Sequence, residues 1–170
     1  AQSVFAVFAT DVDGDGDVDV LSASIDDDTV AWYENQTPSP TPRPTVPAPT
    51  PRPTVLCASA TFSERVLTTL ADAAQSVFAV DVDGDGDVDV VSGAYSDGDV
   101  SWWENDGSQS FAERVVDSAG VYAAYASDVD GDGDVDVLAA CKECDTGAWY
   151  ENDGSQSFTK RVFSDADGPV

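Results

Sequence analysis

No histidine and no methionine occur among the 170 residues, and lysine and arginine number seven against 33 aspartates and glutamates, a net charge of −26. Without histidine there is no imidazole for acid–base catalysis or for a soft-metal site. So few cations leave no basic footprint for phosphates, which excludes nucleic acid as a partner. No run of about 18 apolar residues is present, so no membrane span is expected. Sustained helical periodicity is missing as well. There is no initiator methionine and no signal-peptide pattern. The chain is therefore expected to be a mature or excerpted form, and the missing leader does not argue against secretion.

Cysteine is scarce: Cys57, Cys141 and Cys144 only. The last two stand in "CKEC", a zinc-like spacing, but one such pair without histidine or a second pair makes a poor zinc site. A disulfide among the three is expected, with free buried thiols or a bridge between chains as alternatives. The spacing does not say which two would pair.

What is present is a core and a repeat. Apolar residues make up 42% of the chain, with four tryptophans, enough to fold despite the charge. "DVDGDGDVDV" occurs three times without a change, at Asp11–Val20, Asp81–Val90 and Asp128–Val137. A tryptophan follows at constant spacing (Trp32, Trp102, Trp149), and then "FSERV", "FAERV" or "FTKRV". Each unit reads as four short strands: "SVFAV" or "VYAAYA", then "VDVVSGA", "VSWWEN" and "FAERVV". "NDGSQ" before the fourth strand is hairpin-turn chemistry. The expected class is all-β, three four-stranded propeller-type blades with one calcium loop each, plus a polyproline II insert. Residues 1–36 hold the first three strands of the first blade, 37–56 the insert and 57–72 its last strand. The second blade is 73–118 and the third 119–170.

The insert "TPSPTPRPTVPAPTPRPTV" holds eight of the nine prolines. Proline fixes φ and removes the amide donor, so an extended rod is expected, roughly 55 Å long at about 3.1 Å per residue. "TPRPTV" recurs nine residues apart, which places Arg43 and Arg52 on one face. A rod that packs on a neighbour or bears glycans is favoured over a plain spacer.

Five aspartates at alternate positions would repel severely on one face of a strand. Glycines at the fourth and sixth positions argue instead for a tight loop that turns carboxylates inward around a hard cation. Calcium suits such a ring, since it takes six to eight oxygens with flexible geometry. Side-chain ligands are assigned to positions one, three, five and nine: Asp11, Asp13, Asp15 and Asp19; Asp81, Asp83, Asp85 and Asp89; Asp128, Asp130, Asp132 and Asp136. Position seven (Asp17, Asp87, Asp134) offers its carbonyl. The pattern starts like an EF-hand loop and then departs from it, because position twelve is Ser22, Ser92 or Ala139 instead of glutamate.

"DVDGDGDVDV" followed by "WYEN" or "WWENDGSQSF" resembles the FG-GAP or VCBS repeat, the blade unit of integrin-α-like β-propellers. The resemblance implies a calcium loop between the first two strands of each blade, with one ion per repeat and about three per chain. Such propellers usually close with seven blades, and only three repeats are present here. The Ser/Thr-Pro tract resembles the hydroxyproline-rich glycoproteins of green algae and plants. That likeness implies O-glycans on Pro38, Ser39, Pro40, Pro42, Pro44, Pro47, Pro49, Pro51 and Pro53. "NQT" makes Asn35 an N-glycosylation candidate.

Trp32, Trp102 and Trp149 are expected between blades, with a sugar-stacking platform as the sharper alternative. Trp103, matched by Tyr33 and Tyr150, is the one expected at the surface, and Phe62, Phe111 and Phe158 are expected in the core. Glu34, Glu104 and Glu151 with Asn35, Asn105 and Asn152 read as turn formers. Residues that recur in every blade do not make an asymmetric catalytic pair, so an enzyme is not expected. Three blades do not close a ring, and the last repeat ends in the phase in which the first begins. The expectation is a calcium-stabilised extracellular structural glycoprotein that self-associates head to tail into a filament or surface assembly. A flagellar or matrix fibre of an alga is one setting. The alternatives are a fragment of a longer propeller and a carbohydrate- or protein-binding adhesion module.

Overall fold

The computed structural model describes residues 4–36, 60–96, 98–118, 120–141 and 146–165. The proline-rich insert with its candidate glycan sites, Cys57 and Cys144 lie outside them. Cys141 is disulfide-bonded.

The described residues form twelve strands and no helix. β1 (Val4–Thr10), β2 (Asp19–Ser24), β3 (Thr29–Asn35) and β4 (Phe62–Thr68) make one antiparallel sheet in chain order. β5 (Ala74–Val80), β6 (Asp89–Ala94), β7 (Asp99–Asn105) and β8 (Phe111–Ser118) make the second. β9 (Val121–Ser127), β10 (Asp136–Cys141), β11 (Thr146–Asn152) and β12 (Phe158–Asp165) make the third. This is an all-β arrangement of three propeller-like blades.

The register is the same in each blade. Leu21, Val91 and Leu138 pair with Trp32, Trp102 and Trp149, and these tryptophans pair with Arg65, Arg114 and Arg161. Each arginine lies over its tryptophan, 5.2–5.5 Å from the ring centre, and ion-pairs with Glu34, Glu104 or Glu151. The glutamates thus hold an arginine lid on the tryptophan, a role beyond turn formation. A bulge recurs between the third and fourth strands, at Val30/Ala31, Val100/Ser101 and Gly147/Ala148. Bulges of this kind sharpen the twist of a sheet.

Strand alternation gives every blade two apolar faces, and the blades stack through them. Leu21, Ala23, Val30 and Trp32 from the first blade meet Ala74, Val77, Val90 and Trp103 from the second. Val91, Val100 and Trp102 on the far face of the second blade meet Val121, Ala124, Val137 and Tyr150 from the third. The two interfaces are copies of one another. Phe111 packs edge-on against Trp32 and Phe158 against Trp102, with ring centres 6.3 and 6.4 Å apart. Asp117 of the second blade also accepts from Tyr150 Oη (2.7 Å) and Lys160 Nζ (2.6 Å) of the third.

Two expectations are corrected here. Trp103 is buried, not exposed, because alternation turns it to the face opposite Trp102 and the first blade covers that face. Its indole N–H donates to Ser92 Oγ at 2.8 Å. Phe62 is 49% exposed instead of core: its counterparts pack on the preceding blade's tryptophan, and no described blade precedes the first.

Candidate metal centre

Each "DVDGDGDVDV" loop joins the first two strands of its blade, and its fold follows from carboxylates binding nearby amides. Asp11 accepts from the N–H groups of Gly14 (2.8 Å) and Gly16 (2.9 Å), Asp13 from Asp15 (3.2 Å), and Asp15 from Asp17 (2.8 Å). The second loop repeats these contacts at 2.7, 3.0, 3.2 and 2.9 Å, and the third at 2.7, 3.2, 3.2 and 2.9 Å. Such bonds suit short polar side chains in turns. Glycine is required at positions four and six by backbone alone: Gly14 and Gly16 have φ of +75° and +94°, with nothing near where a Cβ would stand.

The carboxylates at positions one, three and five converge in the first two loops: Asp11, Asp13 and Asp15, and Asp81, Asp83 and Asp85, each with an oxygen within 4.8 Å of the others. In the third loop the converging set is Asp128, Asp130 and Asp136, so position nine replaces Asp132. Asp19 and Asp89 stand outside their groups of three. Both oxygens of each position-nine carboxylate take a backbone N–H: Asp19 from Val12 (3.0 Å) and Asn35 (2.7 Å), Asp89 from Val82 (2.9 Å) and Asn105 (2.8 Å), Asp136 from Val129 (2.9 Å) and Asn152 (2.8 Å). Position nine therefore ties the loop to the end of the third strand, while each oxygen keeps a lone pair for a cation. At position seven, the Asp87 and Asp134 side chains lie against Gly107 and Gly154 of the following hairpin turn, so close that an added Cβ would meet them at 2.4 and 2.5 Å.

Asn35, Asn105 and Asn152 complete the buttress by donating Nδ2 to Val18, Val88 and Val135, each at 3.1 Å. At Asn35 this is the nitrogen an N-glycan would occupy. The repetition of "EN" in all three units was the available signal for this role.

Crowding has an electrostatic consequence. Burial and then the Asp15, Asp19 and Glu34 charges push the Asp13 carboxyl up, partly offset by the Asp15 amide. Asp83 is raised in the same way by burial and by Asp85, Asp81 and Glu104. Burial drives Asp89 up to about 6 against the amides of Asn105 and Val82. A divalent cation would reverse these shifts by replacing lost water and cancelling like charge. The donor set is hard oxygen throughout, which fits calcium.

One partner of the loops escaped the sequence reading. Gln109 Nε2 reaches Asp13 Oδ2 of the preceding blade at 3.2 Å, and Gln156 Nε2 reaches Asp83 Oδ2 at 3.1 Å.

The chain matches the family model described as FG-GAP-like repeat over residues 11–92 and 81–139. Among curated proteins no relative matches it. Among solved structures it is similar to an Agrocybe aegerita lectin characterised for specific recognition of non-reducing terminal N-acetylglucosamine, with a TM-score of 0.55 and 18% identity. The alignment covers 93% of this chain and 37% of the lectin, so the chain spans little more than a third of that length. At this identity the likeness is one of fold.

Proposed function

This chain belongs to the family of FG-GAP-like repeat proteins, and from that premise we propose a non-enzymatic, calcium-stabilised propeller module that works outside the cell by stacking its blades on those of further copies. Asp11, Asp13, Asp15 and Asp19 and their counterparts would hold the ions, joined by the carbonyls of position seven. Bound calcium supplies positive charge to the acidic turns. The protein's own residues shape the turns, tie them to the third strands and carry the hydrophobic stacking.

The observation that carries the stacking is the identity of the two internal interfaces. Ala74 and Val77 of the second blade are 0% and 7% exposed against the first, whereas their equivalents Val4 and Val7 are 54% and 67% exposed. The far face of the third blade repeats the sequence of the buried far faces, with Leu138 and Trp149 where Val91 and Trp102 stand. A head-to-tail contact of these two faces would extend the stack without new chemistry, and a heterologous contact of this type gives rings or filaments. The O-glycan sites Pro38 to Pro53 and Ser39 belong to this proposal, as does a surface fibre such as an algal flagellar or matrix filament. Asn35 belongs to it too as an N-glycan site: its side-chain nitrogen gives one hydrogen to the Val18 carbonyl and keeps a second that a glycan bond would replace.

Negative-stain microscopy and sedimentation at micromolar protein, with calcium and with EGTA, test the reading. Filaments or rings that dissolve on chelation are expected. Monodisperse 17.8 kDa particles in calcium would refute self-association.

A second reading, carbohydrate or protein binding, has one observation in its favour. A groove of about 300 Å³ between the first two blades is lined by Trp32, Arg65, Val66, Leu67, Gln109 and Phe111. Aromatic walls with a few polar groups suit a small ligand. Saturable binding on a glycan array by a soluble monomer would favour this reading over assembly.

A further inference from the structure

The glutamine contacts join elements far apart in sequence: Gln109 sits in the hairpin turn of the second blade and Asp13 in the loop of the first, and Gln156 and Asp83 repeat the relation one blade on. Both glutamines have positive φ, +62° and +63°, a conformation that L side chains with a Cβ rarely adopt. A turn that needed only its backbone path would take glycine there. The side chain is instead aimed at position three of the neighbouring loop, twice.

Among the described residues no later blade brings a hairpin turn to the third loop, and Asp130 is exposed where Asp13 and Asp83 are half-buried. Its carboxylates also group differently, through position nine instead of position five. Ala60 stands two residues before Phe62, where Gln109 and Gln156 stand two residues before Phe111 and Phe158. The first blade thus carries alanine where the other two carry the clasping glutamine.

We propose that Gln109 and Gln156 are positioning residues that clasp each of the first two calcium loops to the next blade. The amide N–H holds Oδ2 of Asp13 or Asp83 while Oδ1 accepts from the backbone N–H of position five, so both ends of the carboxylate are fixed. Ion binding in these loops then reinforces blade docking, and docking reinforces ion binding. In the 170-residue chain, where no described glutamine reaches the third loop, that loop binds calcium independently. Loss of a partner that orients a ligand typically weakens a metal site by tenfold or more. The first two loops should thus hold calcium about tenfold more tightly than the third.

Calorimetric titration of the intact chain with calcium tests this. Two tighter sites and one weaker site are expected. Gln109→Gly with Gln156→Gly removes the amides and suits the positive φ, so the metal-free melting temperature should stay near its original value while the two tighter sites weaken about tenfold to resemble the third. If the double variant does not fold, Gln109→Asn, one methylene too short to reach, should weaken one site only. Three equal sites in the unaltered chain would overturn the clasp, and so would unchanged affinities in the variants. The inference rests on calcium occupying the loops. Absence of calcium uptake at any site would overturn that reading and the clasp with it, whereas three equal sites overturn the clasp alone.

Discussion

Removing calcium should destabilise this protein by an amount that the loops themselves set. Each loop offers three carboxylates with oxygens within 4.8 Å of one another, at least two of which are open to solvent, which places the loops with the weaker calcium modules, Kd about 10⁻⁴ to 10⁻³ M. At about 2 mM free calcium, linkage gives each loop roughly 0.6 to 1.8 kcal/mol. Three loops together give roughly 2 to 5 kcal/mol, or a melting shift of about 4 to 20 °C for a chain of this size. The assay is circular dichroism melting at constant ionic strength in 2 mM calcium, in 2 mM magnesium and in EGTA, with elemental analysis of the dialysed protein. Magnesium should give the smaller shift, because it demands octahedral order and keeps its water. Asp15→Asn with Asp85→Asn is the sharpest perturbation. The amide oxygen of asparagine can still accept from Asp17 or Asp87, so the metal-free fold is kept while charge is removed from two loops. The calcium-induced shift should fall by about half or more, with the metal-free melt unchanged or slightly raised. A melt identical in calcium and EGTA, with no metal in the protein, would refute the reasoning.

Other outcomes follow from single contacts. Ser92→Ala leaves the buried Trp103 indole N–H without its acceptor and should cost about 1–3 kcal/mol in urea denaturation. Gly107→Ala combines a φ of +72° with a Cβ driven into the Asp87 carboxylate, whereas Gly14→Ala meets nothing; the first should destabilise more than the second, whose cost is about 1–2 kcal/mol. In calcium-free buffer the folded chain holds the Asp89 proton up to about 6, while the unfolded chain releases it near 3.8. The folded state then binds more protons between those values, so stability falls as pH rises through them. The metal-free protein should be more stable at pH 5 than at pH 7.5, by about 1 kcal/mol from this group; an equal or lower melt at pH 5 would contradict the burial of Asp89.

The all-β class, the three repeats and the loop positions were legible because they are written in short-range pattern: fixed glycines, alternate aspartates, constant spacing to tryptophan. What was missed depends on neighbours. Trp103 sits beside Trp102 in an apolar run, and nothing in one strand says that both faces are covered. Phe62 has the same local context as Phe111 but lacks a preceding blade. The clasp by Gln109 and Gln156 spans sequence separations of 96 and 73 residues. It left only a weak trace, the shared "DGSQ" in two units and its loss from the first. Position nine looked like a plain ligand, and its bonds to two backbone N–H groups appear only once the third strand lies alongside.

Those two bonds have a kinetic consequence. A turn already cinched to its strand by its own aspartate does not have to search for shape when a cation arrives. Capture should then run at the pace at which calcium sheds water, with differences between loops showing up in residence time rather than in speed of entry.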